Sequence, residues 1–284
     1  MSQSATDRSA SLALAVPLGL FFIVFVFLPL VLLVWVSFYA DSGMTQHGIK
    51  QYQRFWSDDF NRGVLMNTLW LGVKVTVVTL LLGLPLAYVY TLVTPRWQGI
   101  LMLLIVLPLL TSAVVRTFAW VVILGRQGIV NNGLLQLGWI AEPLRLLYTP
   151  GAVTLALAQI ELPLMVLPLI TALLNIDPNM RYASIALGAG HWRTLWQVTL
   201  PLAVPGLLAG SLLVFASSVS AFVTQTLVGG GQHILMPFYM YQQAIQANDY
   251  PFAAAVAVIL LVCVLIVVTV VNTLGRRAKG FVNA

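Results

Sequence analysis

The chain has 284 residues, of which 60% are hydrophobic and only 8% charged, and 14 Lys and Arg against 8 Asp and Glu give a formal charge of +6. Soluble domains average about 25% charged residues, so an ordinary water-soluble core is excluded. The one cysteine, Cys263, excludes a disulfide framework and reads as apolar filler inside the last greasy segment.

Apolar runs long enough to cross a hydrocarbon layer of about 30 Å recur along the chain. They predict spans over 12–39, 67–93, 99–124, 149–175, 201–226 and 251–275. The runs are apolar on every side, whereas a transmembrane barrel needs short segments that alternate apolar and polar residues. The expected fold is therefore an all-α integral membrane protein of six transmembrane helices, with 1–284 forming one transmembrane domain. The first run, Leu12 to Val36, is much longer than the roughly 7–15 apolar residues of a secretory signal, so it is expected to stay in the mature protein.

Lys and Arg accumulate in cytoplasmic loops. With both termini inside, Arg8, Arg96, Arg181, Arg193, Arg276, Arg277 and Lys279 face the cytoplasm, while Lys50, Arg54, Arg62, Arg126 and Arg145 are spread over longer outer segments. The positive charge suits an anionic lipid surface and gives no reason to invoke nucleic acid. In the first outer loop, Tyr52, Phe55, Trp56 and Phe60 stand among charged residues, a composition suited to a short helix at the membrane surface. The second carries Asn131-Asn132-Gly133, and the third opens on Gly229 to Gly231, which can turn sharply.

The inner segment 177–200 has its own pattern. Asp177 and Asn179 around Pro178 supply turn and N-cap chemistry for a helix through Ala183, Ala186 and Leu187, which Gly188 and Gly190 then end. Trp192, Leu195, Trp196 and Val198 follow at close to helical spacing, an amphipathic piece whose aromatics could pack back on the bundle, and Pro201 and Pro205 mark the expected start of the next span. On pattern alone, an interfacial connector and a docking surface remain open for this segment.

The stretch resembles the signature loop of permeases in binding-protein-dependent, ATP-driven importers: Glu-Ala-Ala, three residues, Gly, nine residues, Ile-x-Leu-Pro. Tyr182, Ala183 and Ser184 stand at the opening triplet, Gly188 at the glycine, Val198 at the isoleucine, and Leu200 and Pro201 at the ending. The strings Leu107 to Trp120, Leu124 to Gly128, Asn175 to Pro178, Phe222 to Thr224 and Leu227 to Gly230 are similar to the spermidine/putrescine-type permeases, in particular the first of the two paired subunits. The resemblance implies a type I importer permease fold with segment 177–200 as a cytoplasmic coupling loop, in which Ala189 and Gly190 join the residues just named. It also implies a second permease subunit, two ATPase subunits that bind ATP and Mg, a periplasmic substrate-binding protein, and a place in a bacterial inner membrane. Tyr182 departs from the family, where an acid at that position often meets a basic group of the ATPase; the departure implies that this subunit leans on its partner permease for that contact. The chain contains no Gly-x4-Gly-Lys-Ser/Thr phosphate loop, so no cofactor is expected on this chain and the energy is expected from another polypeptide.

Ionisable groups inside spans cost about 2.5–3.5 kcal/mol at the centre on insertion scales, so each is a candidate functional residue. Lys74, Arg116 and Glu161 are the three. Glu161, beside Pro163, would suit a cationic solute such as a polyamine, with an ion pair to Arg116 or Lys74 as the alternative. Ser217, Ser220, Phe222 and Thr224, with Ser218, Gln225 and Tyr239, form a weakly polar stripe that reads either as helix packing or as part of the solute path. His47, His191 and His233 all fall in loops and no span holds a metal or nucleophile pattern, so an enzyme is not expected. A different solute (an amino-acid derivative, opine or phosphonate) and an ATP-independent transporter remain the alternatives.

Overall fold

The computed structural model describes residues 16, 17 and 19–280, with the side chains of 274 and 276–280 outside the description. The expected beginning of the first span, Arg8, and the charge-setting side chains of Arg276, Arg277 and Lys279 therefore lie outside the described residues.

Among the described residues every extended element is helical, and six stretches are long and apolar enough to cross a membrane. In chain order the helices are α1 (Gly19–Ser37), α2 (Lys50–Ser57), α3 (Asp59–Leu92), α4 (Pro95–Val106), α5 (Ala113–Leu124), α6 (Ile129–Gln136), α7 (Pro150–Leu174), α8 (Pro178–Ala186), α9 (His191–Ser220), α10 (Phe222–Gly229), α11 (Met236–Tyr241) and α12 (Tyr250–Gly280). The surface helix expected among the aromatics of the first outer loop is α2.

Two expected spans are corrected. In place of one helix over 99–124, α4 passes into a tight turn at Leu107–Leu110, and Thr111 and Ser112 are extended before α5 begins. Pro108 has no N–H to continue the α ladder, and two extended residues turn the chain out of it. The span expected over 201–226 begins ten residues earlier and stops at Ser220, because Ala221 is extended (φ −68°, ψ 102°) and α10 starts afresh at Phe222. Pro201 does not open the span: the wider turn Leu195–Thr199, closed by Leu200 N–H on Leu195 O, precedes it and takes up the register that a missing donor disturbs. The same device sits at Ile23–Phe27, just before Pro29.

The chain forms two compact groups. The first holds the described residues up to Arg62 together with Tyr239–Leu261. Within it the Arg54 guanidinium donates to Asp249 at 2.7 Å and lies 4.0 Å from the centroid of Phe252, while Tyr239 donates to Asn61 Oδ1 at 2.7 Å. Phe55 and Phe252 are fully buried there. None of the apolar window of α1 is buried.

The second group, Gly63–Phe238 and the described residues from Val262 on, is built around α7, two thirds of whose apolar window is buried against at most a third for any other span. Between helices in hydrocarbon the drive is close packing rather than escape from water, and small residues permit it. On α9, Gly206 and Gly210 present that face to α7. A methyl at Gly206 would overlap Ala172 and lie 2.7 Å from the Pro168 carbonyl, and one at Gly210 would lie 2.9 Å from Met165 Sδ.

Candidate transport and coupling sites

Glu161 lies on the most buried helix and is itself 6% exposed. Its Oε1 accepts a 2.9 Å hydrogen bond from Ser217 on α9. Arg116 on α5 reaches the neighbouring backbone instead, its Nη1 donating to Ile160 O at a long 3.4 Å, and its buried Nε has no partner. The ion pairs among the described residues are Arg54–Asp249 and Arg62–Asp59, so neither Arg116 nor Lys74 closes on Glu161. Lys74 is exposed and turns toward Trp70, 5.7 Å from its ring. The Glu161 carboxylate on α7 and the guanidinium that reaches from α5 to the Ile160 carbonyl are therefore neighbours without forming an ion pair. Pro163 adds to the local polarity, because it donates nothing to the Gln159 carbonyl one turn back. The side chain of Gln159 is held by Trp120 Nε1 at 3.2 Å.

The rest of the predicted stripe divides. Thr224 on α10 is buried and meets Thr117 on α5 at 2.9 Å. Thr117 gives its single proton to Ala113 O, so Thr224 is the donor in that pair. Ser220 is exposed and bonds back to its own helix at Ala216 and Ser217, and Phe222 stacks at an angle on Phe238, 6.3 Å away. Tyr239 belongs to the other compact group and is bonded to Asn61. Sequence reasoning missed Thr117, Trp120 and Gln159 as partners. Their only signal was a polar atom inside an apolar run, which does not reveal which helix it meets.

The segment from Asp177 to Pro201 is a helix-turn-helix. Asp177 caps α8 by accepting from Asn179 N–H at 2.9 Å, with Pro178 as first helical residue. The C-terminal end is a Schellman turn: Ala189 N–H bonds Ser184 O, Gly188 N–H bonds Ile185 O, and Gly188 takes φ +85°. Gly190 caps α9, Ser184 and Thr194 hydroxyls lie 3.0 Å apart and tie the two arms, and Leu200 and Pro201 are built into α9. Tyr182, Ala183 and Leu187 face outward, Ala189 is half-buried, and Leu187 is 89% exposed. Trp192 and Trp196, expected to pack back on the bundle, are exposed instead, because α9 is one continuous helix and carries them on an outer face.

Six apolar spanning stretches, a buried carboxylate on the central one and an outward-facing helix-turn-helix define a multi-pass membrane transport component. The chain belongs to the family described as "Binding-protein-dependent transport system inner membrane component", which it matches over residues 4–280. It is 31% identical over 252 residues to the spermidine/putrescine transport system permease protein PotB of Haemophilus influenzae, covering 87% of this chain and 88% of that protein. Against PotB of Escherichia coli it is 30% identical over 244 residues, covering 84% and 88%. A solved bacterial alginate ABC transporter, in complex with an alginate pentasaccharide-bound periplasmic protein, shares the fold with a TM-score of 0.79 at 19% identity, covering 97% of this chain and 96% of that one. The chain is thus a multi-pass inner-membrane permease component.

Proposed function

We propose that this chain is one of two different permeases in an ATP-driven importer and that it passes a small cationic solute of the polyamine class toward the cytoplasm by alternating access. A periplasmic binding protein delivers the solute. Two ATPase subunits, which bind ATP and Mg, act on segment 177–200 from the cytoplasmic side, with Tyr182, Ala183, Ser184, Gly188, Ala189, Gly190, Leu200 and Pro201 as the coupling residues. On the path, Glu161 carries the charge selection, with Ser217 positioning it and Arg116 setting the opposite charge beside it.

The observation that carries the reading is the buried carboxylate of Glu161, held by Ser217 and closed by no salt bridge, on the central helix of a chain similar to spermidine/putrescine permeases. A carboxylate that no closed salt bridge satisfies is costly inside a span even with Arg116 nearby, and a passing ammonium offsets that cost transiently. Binding there should be weak, because tight binding on the path slows release.

The test is uptake of radiolabelled spermidine and putrescine into cells that express this permease with the partners encoded beside it. Glu161→Gln should reduce uptake at least tenfold with the protein still inserted. Unchanged polyamine uptake in that variant would remove Glu161 from the path. Uptake of a neutral or anionic solute in place of polyamines would refute the substrate class.

A further inference from the structure

We propose that Arg181 is an acceptor site for a carboxylate of the ATPase partner, so that this coupling segment meets its partner through a permease cation and a partner acid; the proposal rests on the docking reading above. A cavity of about 450 Å³ opens beside α8 and the start of α9, between the ends of α3 and α7. Arg181 lines it together with Tyr88, Tyr182 and His191, and none of its lining residues is an Asp or Glu.

Within that wall the guanidinium is incompletely satisfied. Its Nε and Nη2 are both buried and neither has a hydrogen-bond partner. These two nitrogens form one edge of the guanidinium plane, with parallel N–H bonds, the fork that matches the two oxygens of a carboxylate. The group rests 6.0 Å from the ring of Tyr88, a contact that leaves the in-plane donors free. Asp177, the acid nearest to it in sequence, is committed to the Asn179 N–H as the cap of α8.

The edge is covered in this conformation, so an incoming acid engages it by drawing the long side chain off Tyr88 into the cavity. The remaining walls favour a protein side chain over a phosphate. Leu92, Leu173, Leu174, Ile176 and Ile185 give an apolar channel for the stem of a Glu, and the rim carries the outward-facing Tyr182. Charge supports the same direction: the loops assigned to the cytoplasmic face hold seven Lys and Arg, and their acids are Asp7 and Asp177.

The experiment uses the whole transporter, purified from detergent-solubilised membranes through a tag on this chain, and measures both retained ATPase and ATP-driven uptake in vesicles. Arg181→Glu should lower ATPase retention and uptake at least tenfold, and Arg181→Lys, which keeps the charge but loses the fork, should fall between that variant and wild type. A single Asp or Glu→Arg change on the ATPase should then restore assembly with Arg181→Glu, a rescue that a misfolded permease could not show. Wild-type retention and uptake in Arg181→Glu would overturn the proposal, as would a loss that reversal at none of the ATPase acids repairs. A wild-type transporter that loses the ATPase when phosphatidylglycerol is exchanged for phosphatidylcholine, with Arg181→Glu indifferent to the exchange, would assign the site to a lipid headgroup and overturn it too. Failure of the docking reading itself looks different, since the wild-type chain would then retain no ATPase at all.

Discussion

Ser217 on α9 donates to Glu161 on α7 across a close helix contact in the second group, the contact lined by Gly206 and Gly210. A hydroxyl that donates to a buried carboxylate holds it in one orientation, and its loss costs about 1–3 kcal/mol in the bonded arrangement. Ser217→Ala should therefore reduce uptake of the proposed cationic solute by about tenfold, since about 1.4 kcal/mol is a factor of ten. Ser217→Thr should restore most of it. The check is initial uptake rate at matched membrane abundance.

Gly188 holds φ +85° with open space around it, so the demand there is backbone conformation and not room. A residue with a Cβ in that region costs about 1–2 kcal/mol. Gly188→Val should cut ATP-driven uptake at least fivefold while insertion is unchanged, and Gly188→Asn should lie between that variant and wild type. Equal uptake in all three would show that the turn is not needed for coupling.

The contact at Gly206 is a matter of space. Gly206→Ala should lower the thermal midpoint of the purified transporter, with overpacking of this kind costing about 1–3 kcal/mol. Adding Ala172→Gly should restore only part of the loss, because the Pro168 carbonyl remains 2.7 Å from the new methyl. Gly99→Ala, where the methyl meets nothing within 4 Å, serves as the neutral control.

Burial pushes the Tyr239 phenol above its ordinary value near 10, against a smaller opposing pull from Arg54. A raised folded-state value favours the protonated form, so its contribution is complete below pH about 10 and is lost as pH rises through the folded-state value. Thermal midpoints measured from pH 8 to 11.5 should fall at the alkaline end, and Tyr239→Phe should flatten that fall. The same substitution removes the hydrogen bond to Asn61, so the variant should start lower at pH 8.

Much of the helix-turn-helix at 177–201 was legible because its signals are local. Asp177-Pro178 caps α8, and Gly188 supplies the one left-handed residue that its Schellman turn requires. The surroundings of Glu161 were much less legible. Glu161 stood out as an acid in an apolar run, but its partner is 56 residues away and neither candidate cation proved to be that partner. Thr224 carried the same signal as Ser217 and yet forms a packing bond to Thr117.

The sequence by itself determined the number of spans and the all-helical class, because a bilayer requires long apolar runs whose backbone is satisfied within each segment. It also determined the helix-turn-helix, through caps that act over four or five residues. Tertiary structure alone decided where the helices break, at Thr111–Ser112 and Ala221, and which face of each span is buried. The reason is physical: a span facing lipid on one side and other helices on the other is apolar all round, so no periodicity marks its inner face. Only packing between α7 and α9 brings Ser217 to Glu161.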